Sequence, residues 1–328
     1  MTNRLTIEAM ADWLRARNDF VVLGHVSPDG DAAGSALGLC LALRAMGKRA
    51  AVLLPGGVPK LYRWLPGAER IVDPGEALPF APATAVAVDV SDRERLGEAG
   101  MRAFDRCPEQ AVIDHHATNP GFGQVMLLDG DAAAVGELLT DVIRAMGVEL
   151  SADVAECLFV AISTDTGNFN FSCTRPQTFE AAAKCAAAGI QVDAITTRLY
   201  RTRTYGRTKL LGLVLAGLEV SKDGRLAWAR LTEEMLSTAN ATPEDNEGIV
   251  NYLLEIEGVQ CAVLANERGE QTKLSLRSKE PLDVAEAVAV PLGGGGHACA
   301  AGVTLDLPVD AALQKALELA ARAIGGDT

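Results

Sequence analysis

Apolar residues fall in two rhythms along this chain of 328 residues. In the first half, short unbroken apolar runs alternate with longer stretches whose apolar positions recur every three to four residues. The runs read as strands buried on both faces, and the stretches as helices that cover them. This pattern predicts a helix over about Ile7–Arg17, a strand over Phe20–Val26, and a helix over Ala32–Met46 closed by Gly47. It continues with strands over Arg49–Leu54 and Ala85–Val90, a charged helical stretch around Asp92–Phe104, and a strand over Ala111–His115. Helices over Ala132–Met146, Ala152–Ser163 and Gln177–Ala188 complete it. Strands alternating with helices predict an α/β fold, with a parallel sheet and helices on both faces.

The rhythm changes in the second half. A helix over Lys209–Leu218 precedes strands from Glu219–Val220 to Ala229, over Gln260–Asn266 and over Thr272–Ser278, joined by polar turns such as KDGR and NERGEQ. Helices are expected over Pro243–Glu255, Leu282–Val288 and Val309–Ala323. Antiparallel hairpins with helices make this a smaller α+β domain. The expected organisation is a first domain over 1–190, a linker over 191–215 and a second domain over 216–328.

Composition narrows the class. No apolar run is long enough for a membrane helix, and the N-terminal MTNRLTIEAMADWLRARNDF is amphipathic and carries acids, unlike a signal peptide. Seven cysteines, an odd number with no C-x-x-C pair, read as reduced core residues of a cytoplasmic protein without a zinc site. A net charge of −13 opposes binding long nucleic acid and is compatible with a short anionic substrate held through metal. The stretch TTRLYRTRTYGRTK, Thr196–Lys209, holds five cations and no acid. It reads either as an attractor for nucleotide phosphates or as a solvated helix face.

The chemistry concentrates where strands end. GHVSPDGDAAGSALG places His25, Asp29 and Asp31 at the carboxyl end of the first apolar strand, where ligand sites form in α/β sheets. The two acids also suit a turn and a helix cap. VAVDVSD ends a strand on Asp89, and VIDHHATN ends one on Asp114, His115 and His116. ISTDTGNFNFS places Asp165 at a helix C-terminus, where an acid opposes the helix dipole and calls for a neighbouring cation. All four histidines, His25, His115, His116 and His297, lie in such motifs. Two imidazoles and four carboxylates without thiolate suit Mn²⁺, Mg²⁺ or Fe²⁺, and six ligands suit two ions sharing a carboxylate. A two-ion site of that kind hydrolyses phosphoesters. In the second half, VPLGGGGHACAAG exposes backbone N–H groups to an anion at Gly294, Gly295 and Gly296 beside His297. Arg277, in KLSLRSK, adds a guanidinium that takes phosphate bidentately.

In order along the chain, H-x-x-P-D-G-D-x-x-G-S, the strand-end Asp, D-H-H-x-x-N and D-T-G-x-F resemble the DHH phosphoesterases. G-G-G-H-x-x-A-A-G after an R-S strand resembles their C-terminal DHHA1 domain. The match runs from about Phe20 to Val303, and its form is most similar to the branch that degrades very short RNA and dephosphorylates 3′-phosphoadenosine 5′-phosphate (pAp). The resemblance implies one Mn²⁺ on His25, Asp29 and Asp89 and a second on Asp31, Asp89, His115 and Asp165, with Asp89 bridging. It implies catalytic roles for His116 at the substrate phosphate and Asp114 behind it, and substrate binding by Arg277, Gly294, Gly295, Gly296 and His297. Expected partners are short RNA oligonucleotides or a nucleotide bisphosphate, without long duplex DNA or membrane, and a homodimer is among the expected assemblies. Hydrolysis of cyclic or linear dinucleotides on the same scaffold stays open, as does a regulatory nucleotide-binding protein with structural metals. Asn170 departs from the larger or basic side chain common at its place in relatives.

Overall fold

A computed structural model describes residues 2–72 and 75–325, apart from the side chain of His297. The chain divides into two compact units, Met1–Thr202 and Arg203–Thr328. Among the described residues, no helix is long and apolar enough to cross a membrane.

The first unit holds strands β1 (Asn3–Arg4), β2 (Phe20–Leu23), β3 (Ala50–Leu53), β4 (Ile71–Val72), β5 (Thr84–Val88), β6 (Glu109–Asp114) and β7 (Val125–Leu128). They form one sheet in the order β1-β7-β6-β5-β2-β3-β4, with every pairing parallel. Its helices are α1 (Ile7–Arg15), α2 (Gly30–Ala45), α3 (Gly97–Arg106), α4 (Val135–Ala145), α5 (Ala152–Asp165), α6 (Pro176–Ala187) and α7 (Val192–Thr196). Alternate strand residues feed opposite cores. Phe20, Val22, Val86, Val88 and Ile113 pack with α1, α2, α4 and α5, and Val21, Leu23, Ala85 and Val112 pack with Leu96 and Phe104 of the α3 side. This is the doubly covered parallel sheet expected from the alternating runs.

Helix α2 is buried all round, and glycine sets how closely α5 approaches it. A Cβ on Gly34 would lie 2.4 Å from the carbonyl oxygen of Cys157, and one on Gly30 would lie 2.3 Å from Thr164 Oγ1. The spacing of four puts Gly30, Gly34 and Gly38 on one stripe. The first turn of α2 therefore meets the last turn of α5, with Asp31 in the one and Asp165 in the other.

The second unit holds α8 (Tyr205–Ala216), β8 (Glu219–Val220), β9 (Leu226–Leu231), α9 (Glu233–Ala239), α10 (Ile249–Leu254), β10 (Cys261–Arg268), β11 (Gln271–Ser278), β12 (Gly295–His297), β13 (Ala300–Leu305) and α11 (Val309–Ala323). Its sheet runs β12-β13-β11-β10-β9-β8. The pairings are antiparallel except β9 with β10.

Several expectations change. The helix expected over Pro243–Glu255 is broken by Gly248, whose φ of 77° ends a 3₁₀ turn before α10 begins. The helix expected over Leu282–Val288 is a π-helical turn, Ala285–Ala289. Strands β1, β4, β12 and β13 and helix α9 have no clear apolar rhythm, whereas β7 is the apolar run VMLL and was not among the expected strands. The stretch 191–215, expected as a linker, is mostly helical, and the two units divide within it. Its cations are largely engaged inside their own unit. Arg198 lies 4.9 Å over the Trp64 ring, and Arg203 lies 5.5 Å over Tyr252. Arg207 donates to the carbonyl of Glu247 at 2.6 Å and Lys209 to that of Thr238 at 2.7 Å.

Candidate metal centre

The parallel sheet places the carboxyl ends of β2, β5 and β6 side by side, and each hands over to a segment bearing metal-type ligands. His25 follows β2, Asp89 follows β5, and Asp114 ends β6 with His115 and His116 just after it. Asp29 is the N-cap of α2, accepting from Ala32 N at 3.0 Å. It therefore serves as a cap and as a neighbour of His25 at once.

Asp89 is the hub. One of its oxygens, Oδ2, lies 3.5 Å from His25 Nε2, and the other, Oδ1, lies 3.6 Å from His115 Nε2. His25 Nε2 is also 3.8 Å from Asp29 Oδ1. His115 Nε2 is 3.3 Å from Asp165 Oδ2 and 3.9 Å from Asp31 Oδ2. Three groups gather ligand atoms within 4.8 Å of one another: His25 with Asp29 and Asp89, Asp31 with His115 and Asp165, and Asp89 with His115 and His116. Without an ion, the cation beside Asp165 at its helix end is protonated His115.

Both imidazoles are turned the same way. His25 Nδ1 meets the Val26 carbonyl at 2.6 Å, and His115 Nδ1 meets that of Ala132 at 3.0 Å. A ring that donates from Nδ1 presents the lone pair of Nε2 to the cluster, which is the tautomer an ion requires. Asp31 is fully buried and accepts from the first amides of α4, Val135 N at 2.6 Å and Gly136 N at 3.1 Å, and from Ser35 Oγ at 2.7 Å. The backbone is strained here. Ser27, Asp89, Asn168 and Phe169 have φ between 54° and 65°, a region few non-glycine residues adopt.

The electrostatics are those of too many acids in one dry place. Burial, reinforced by Asp89, raises Asp31 to about 7, and burial with Asp31 and Asp89 raises Asp165 to about 9. Burial works against protonating His25 and His115, but the acids win: Asp29 and Asp89 bring His25 up to about 10, and Asp89, Asp31 and Asp165 do the same for His115. Asp89 itself is held well below the carboxylate range by the two imidazoles, against its burial. Positive ions relieve this crowding of charge. The donor set of imidazole and carboxylate without thiolate fits hard divalent ions such as Mn²⁺ and Mg²⁺.

His116 stands apart from the other two. Its Nδ1 bonds Asp114 Oδ1 at 2.8 Å, its side chain is 36% exposed, and Asp114 raises its pKa. Asp114 is fully buried, and its second oxygen accepts from Asn119 Nδ2 at 2.6 Å. Asn119 also donates to the Val90 carbonyl at 2.9 Å. It thus ties the strained turn after Asp89 to the carboxylate that orients His116. Asn119 was legible in D-H-H-x-x-N only as a motif letter. Arg95, whose Nη2 lies 3.0 Å from His25 Nδ1, had no signal in the sequence.

In the second unit Arg277 lies on β11, half-buried, with its pKa lowered by burial and its Nη1 donating to the Leu276 carbonyl at 2.9 Å. It makes no ion pair among the described residues. Arg277 and His297 each pair with Ala300, so three strands bring them to one rung. The side chain of His297 lies outside the described residues. Of the neighbouring glycines, Gly294 and Gly296 are demanded by packing, since a Cβ would lie 2.3 Å from Gly302 O and 2.5 Å from Ala300 O. Gly295 faces open space.

Residues 19–162 match the model of the DHH family N-terminal domain, and residues 226–326 match the DHHA1 domain. A bifunctional oligoribonuclease and PAP phosphatase of Thermus thermophilus is 38% identical over 90% of this chain and 86% of its own length. The protein of the same name from Bacillus subtilis is 25% identical over 86% of this chain and 87% of its own. The crystal structure of an exopolyphosphatase-related protein from Bacteroides fragilis superposes with a TM-score of 0.89 at 28% identity, covering 96% of this chain and 95% of the other.

Proposed function

The chain belongs to the DHH family and carries its DHHA1 domain, and from that premise we propose that it is a metal-dependent phosphoester hydrolase acting on short 5′-phosphorylated oligoribonucleotides and on pAp. One observation carries the reading: the two oxygens of a single buried carboxylate, Asp89, face two different imidazoles, as a bridge between two ions requires. The substrate class is supported by the relatives named oligoribonuclease and PAP phosphatase.

We assign His25, Asp29 and Asp89 to one ion and Asp31, Asp89, His115 and Asp165 to the other, with Mn²⁺ as the expected metal. Ions bound there supply a water of lowered pKa and positive charge beside the phosphoryl oxygens. The residues do the rest. Val26 and Ala132 carbonyls hold both imidazoles in the ligating tautomer. Asp114 accepts from Nδ1 of His116 and raises its pKa, so that the ring in its imidazolium form carries a second proton, on Nε2, for a phosphoryl or leaving oxygen. Arg277, Gly294, Gly295, Gly296 and His297 recognise the substrate's other phosphate or terminal nucleotide. All seven cysteines are free, which supports a reducing, cytoplasmic setting.

The test is initial rates with Mn²⁺ on pAp and a 5′-phosphorylated RNA dinucleotide, with products separated by chromatography. AMP from the first and mononucleotides from the second are expected. Cleavage of neither, with metal bound, overturns the reading.

A further inference from the structure

We propose that the open face of β11 is a lane for more than one phosphate, in which Lys273 holds a further phosphate of a substrate longer than a dinucleotide. The proposal deepens the reading of short oligoribonucleotides as substrates and rests on it. Alternate residues of β11 point to opposite sides of the sheet. Leu274 and Leu276 are fully buried in the core that α11 covers. Lys273, Ser275 and Arg277 therefore share the other side. There α8, α9 and α10 close over β9 and β10, with Leu210, Ala239 and Leu253 in one core with Ala229 and Leu264. Among the described residues, that core takes in nothing from β11 or β13. Lys273 is left exposed, and Ser275 and Arg277 half-buried.

The row has no counter-charge. Among the described residues, the side chains of Lys273 and Ser275 make no hydrogen bond or ion pair, and Arg277 has only the Leu276 carbonyl. The strands on either side place no acid opposite. Arg277, Ser275 and Lys273 pair with Ala262, Leu264 and Asn266 on β10 and with Ala300, Gly302 and Thr304 on β13. Asn266 is 3% exposed and its Oδ1 accepts from no donor, so even this oxygen does not hold the ammonium. At the end of the row, Asp306 Oδ1 is taken by Gln271 Nε2 at 2.6 Å. In a chain of net charge −13, two cations on one bare strand face invert the local charge. They stand about 13 Å apart along the strand. One phosphate is too small to meet both, whereas a strand that repeats its phosphates can. Between them lie only Ser275 and, beside it on β13, Gly302, so no bulky side chain blocks the way. Lysine takes phosphate as a point charge without fixed geometry, which suits a chain that must pass along the face.

The probes are 5′-phosphorylated RNA dimers and tetramers with phosphorothioate linkages, which keep the charge and resist cleavage. Their binding to the Mn²⁺-loaded protein is read by fluorescence anisotropy. Lys273→Ala is expected to weaken the tetramer about five- to tenfold, at least about threefold more than the dimer, and to lower the tetramer's slope of log affinity against log salt by about 0.7. Lys273→Arg should restore both. An unchanged tetramer affinity overturns the proposal, and so do equal losses for the two lengths. A loss with the salt slope intact also overturns it, because Lys273 would then act without its charge. If the wild type binds the tetramer through Lys273 yet cleaves neither unmodified RNA nor pAp with Mn²⁺, the hydrolase reading fails while the lane stands.

Discussion

The first unit builds its site from buried charge: Asp31 and Asp114 are 0% exposed, Asp89 3% and His25 4%. The second unit offers the reverse, an edge strand of glycines with open backbone and one half-buried guanidinium. The difference fits the roles proposed for each region. Ionic chemistry needs ligands fixed in advance where water does not screen them, and a parallel sheet with strand ends side by side supplies such a place. Recognition of an anion needs N–H groups that a phosphate can reach, and an edge strand without Cβ atoms leaves them accessible.

Removing the hub of the buried site is expected to have the largest effect. Asp89→Ala should lower kcat at least about 10³-fold with far-ultraviolet circular dichroism unchanged. Activity near wild type would break the claim that one carboxylate serves two centres.

The glycine edge separates packing from access. Gly294→Ala forces a Cβ against the backbone of Gly302 and should destabilise the protein by about 2–4 kcal/mol in denaturant titration. Gly295→Ala meets nothing and should change stability by less than about 0.5 kcal/mol, while weakening pAp binding if an anion approaches that edge. Equal stability losses would show that the edge is not open.

Arg277→Ala should raise KM for pAp about tenfold with kcat little changed, as expected of a recognising rather than a reacting group. A defect confined to kcat would move Arg277 into the chemical step.

The smallest effect is a slope with pH. His25 and His115 rise from 6.5 to about 10, and Asp31 and Asp165 rise from 3.8 to about 7 and about 9. Each raised group binds its proton more tightly folded than unfolded, so its stabilising share is complete below the ordinary value and is lost on rising through the raised one. The metal-free protein should therefore lose thermal stability from about pH 4, where the two acids begin, to about pH 10, where the two imidazoles end, and Mn²⁺ should cancel the slope by displacing the protons. A Tm that rises with pH in chelator would contradict this charge balance.

Much of the first unit was legible because its strands are local apolar runs: FVVL starts where expected and ends three residues earlier, and TAVAV falls within two residues of the expected strand. Strands β12 and β13 were not, since GGGGHACAAG is rich in small residues and lacks the β-branched content that marks a strand. The parallel pairing of β9 with β10 was not, because their connection runs through α9, a 3₁₀ turn and α10 and no turn signal reports direction. Of the site, every acid and imidazole brought together around Asp89 stood in a motif. Asn119 and Arg95 did not announce their contacts, one lying 29 residues from its partner Val90 and the other 70 from His25.

The sequence by itself determined which residues end the strands and which carry ligating atoms, because strand rhythm and residue chemistry are local properties. Only the tertiary structure decided which of them meet. Sheet order set β2 beside β5 and β5 beside β6, putting His25 and His115 on either side of Asp89. The glycine stripe of α2 let α5 approach closely enough to bring Asp165 to Asp31. Such proximities arise from burying whole faces against one another, and no local pattern along the chain records which faces those are.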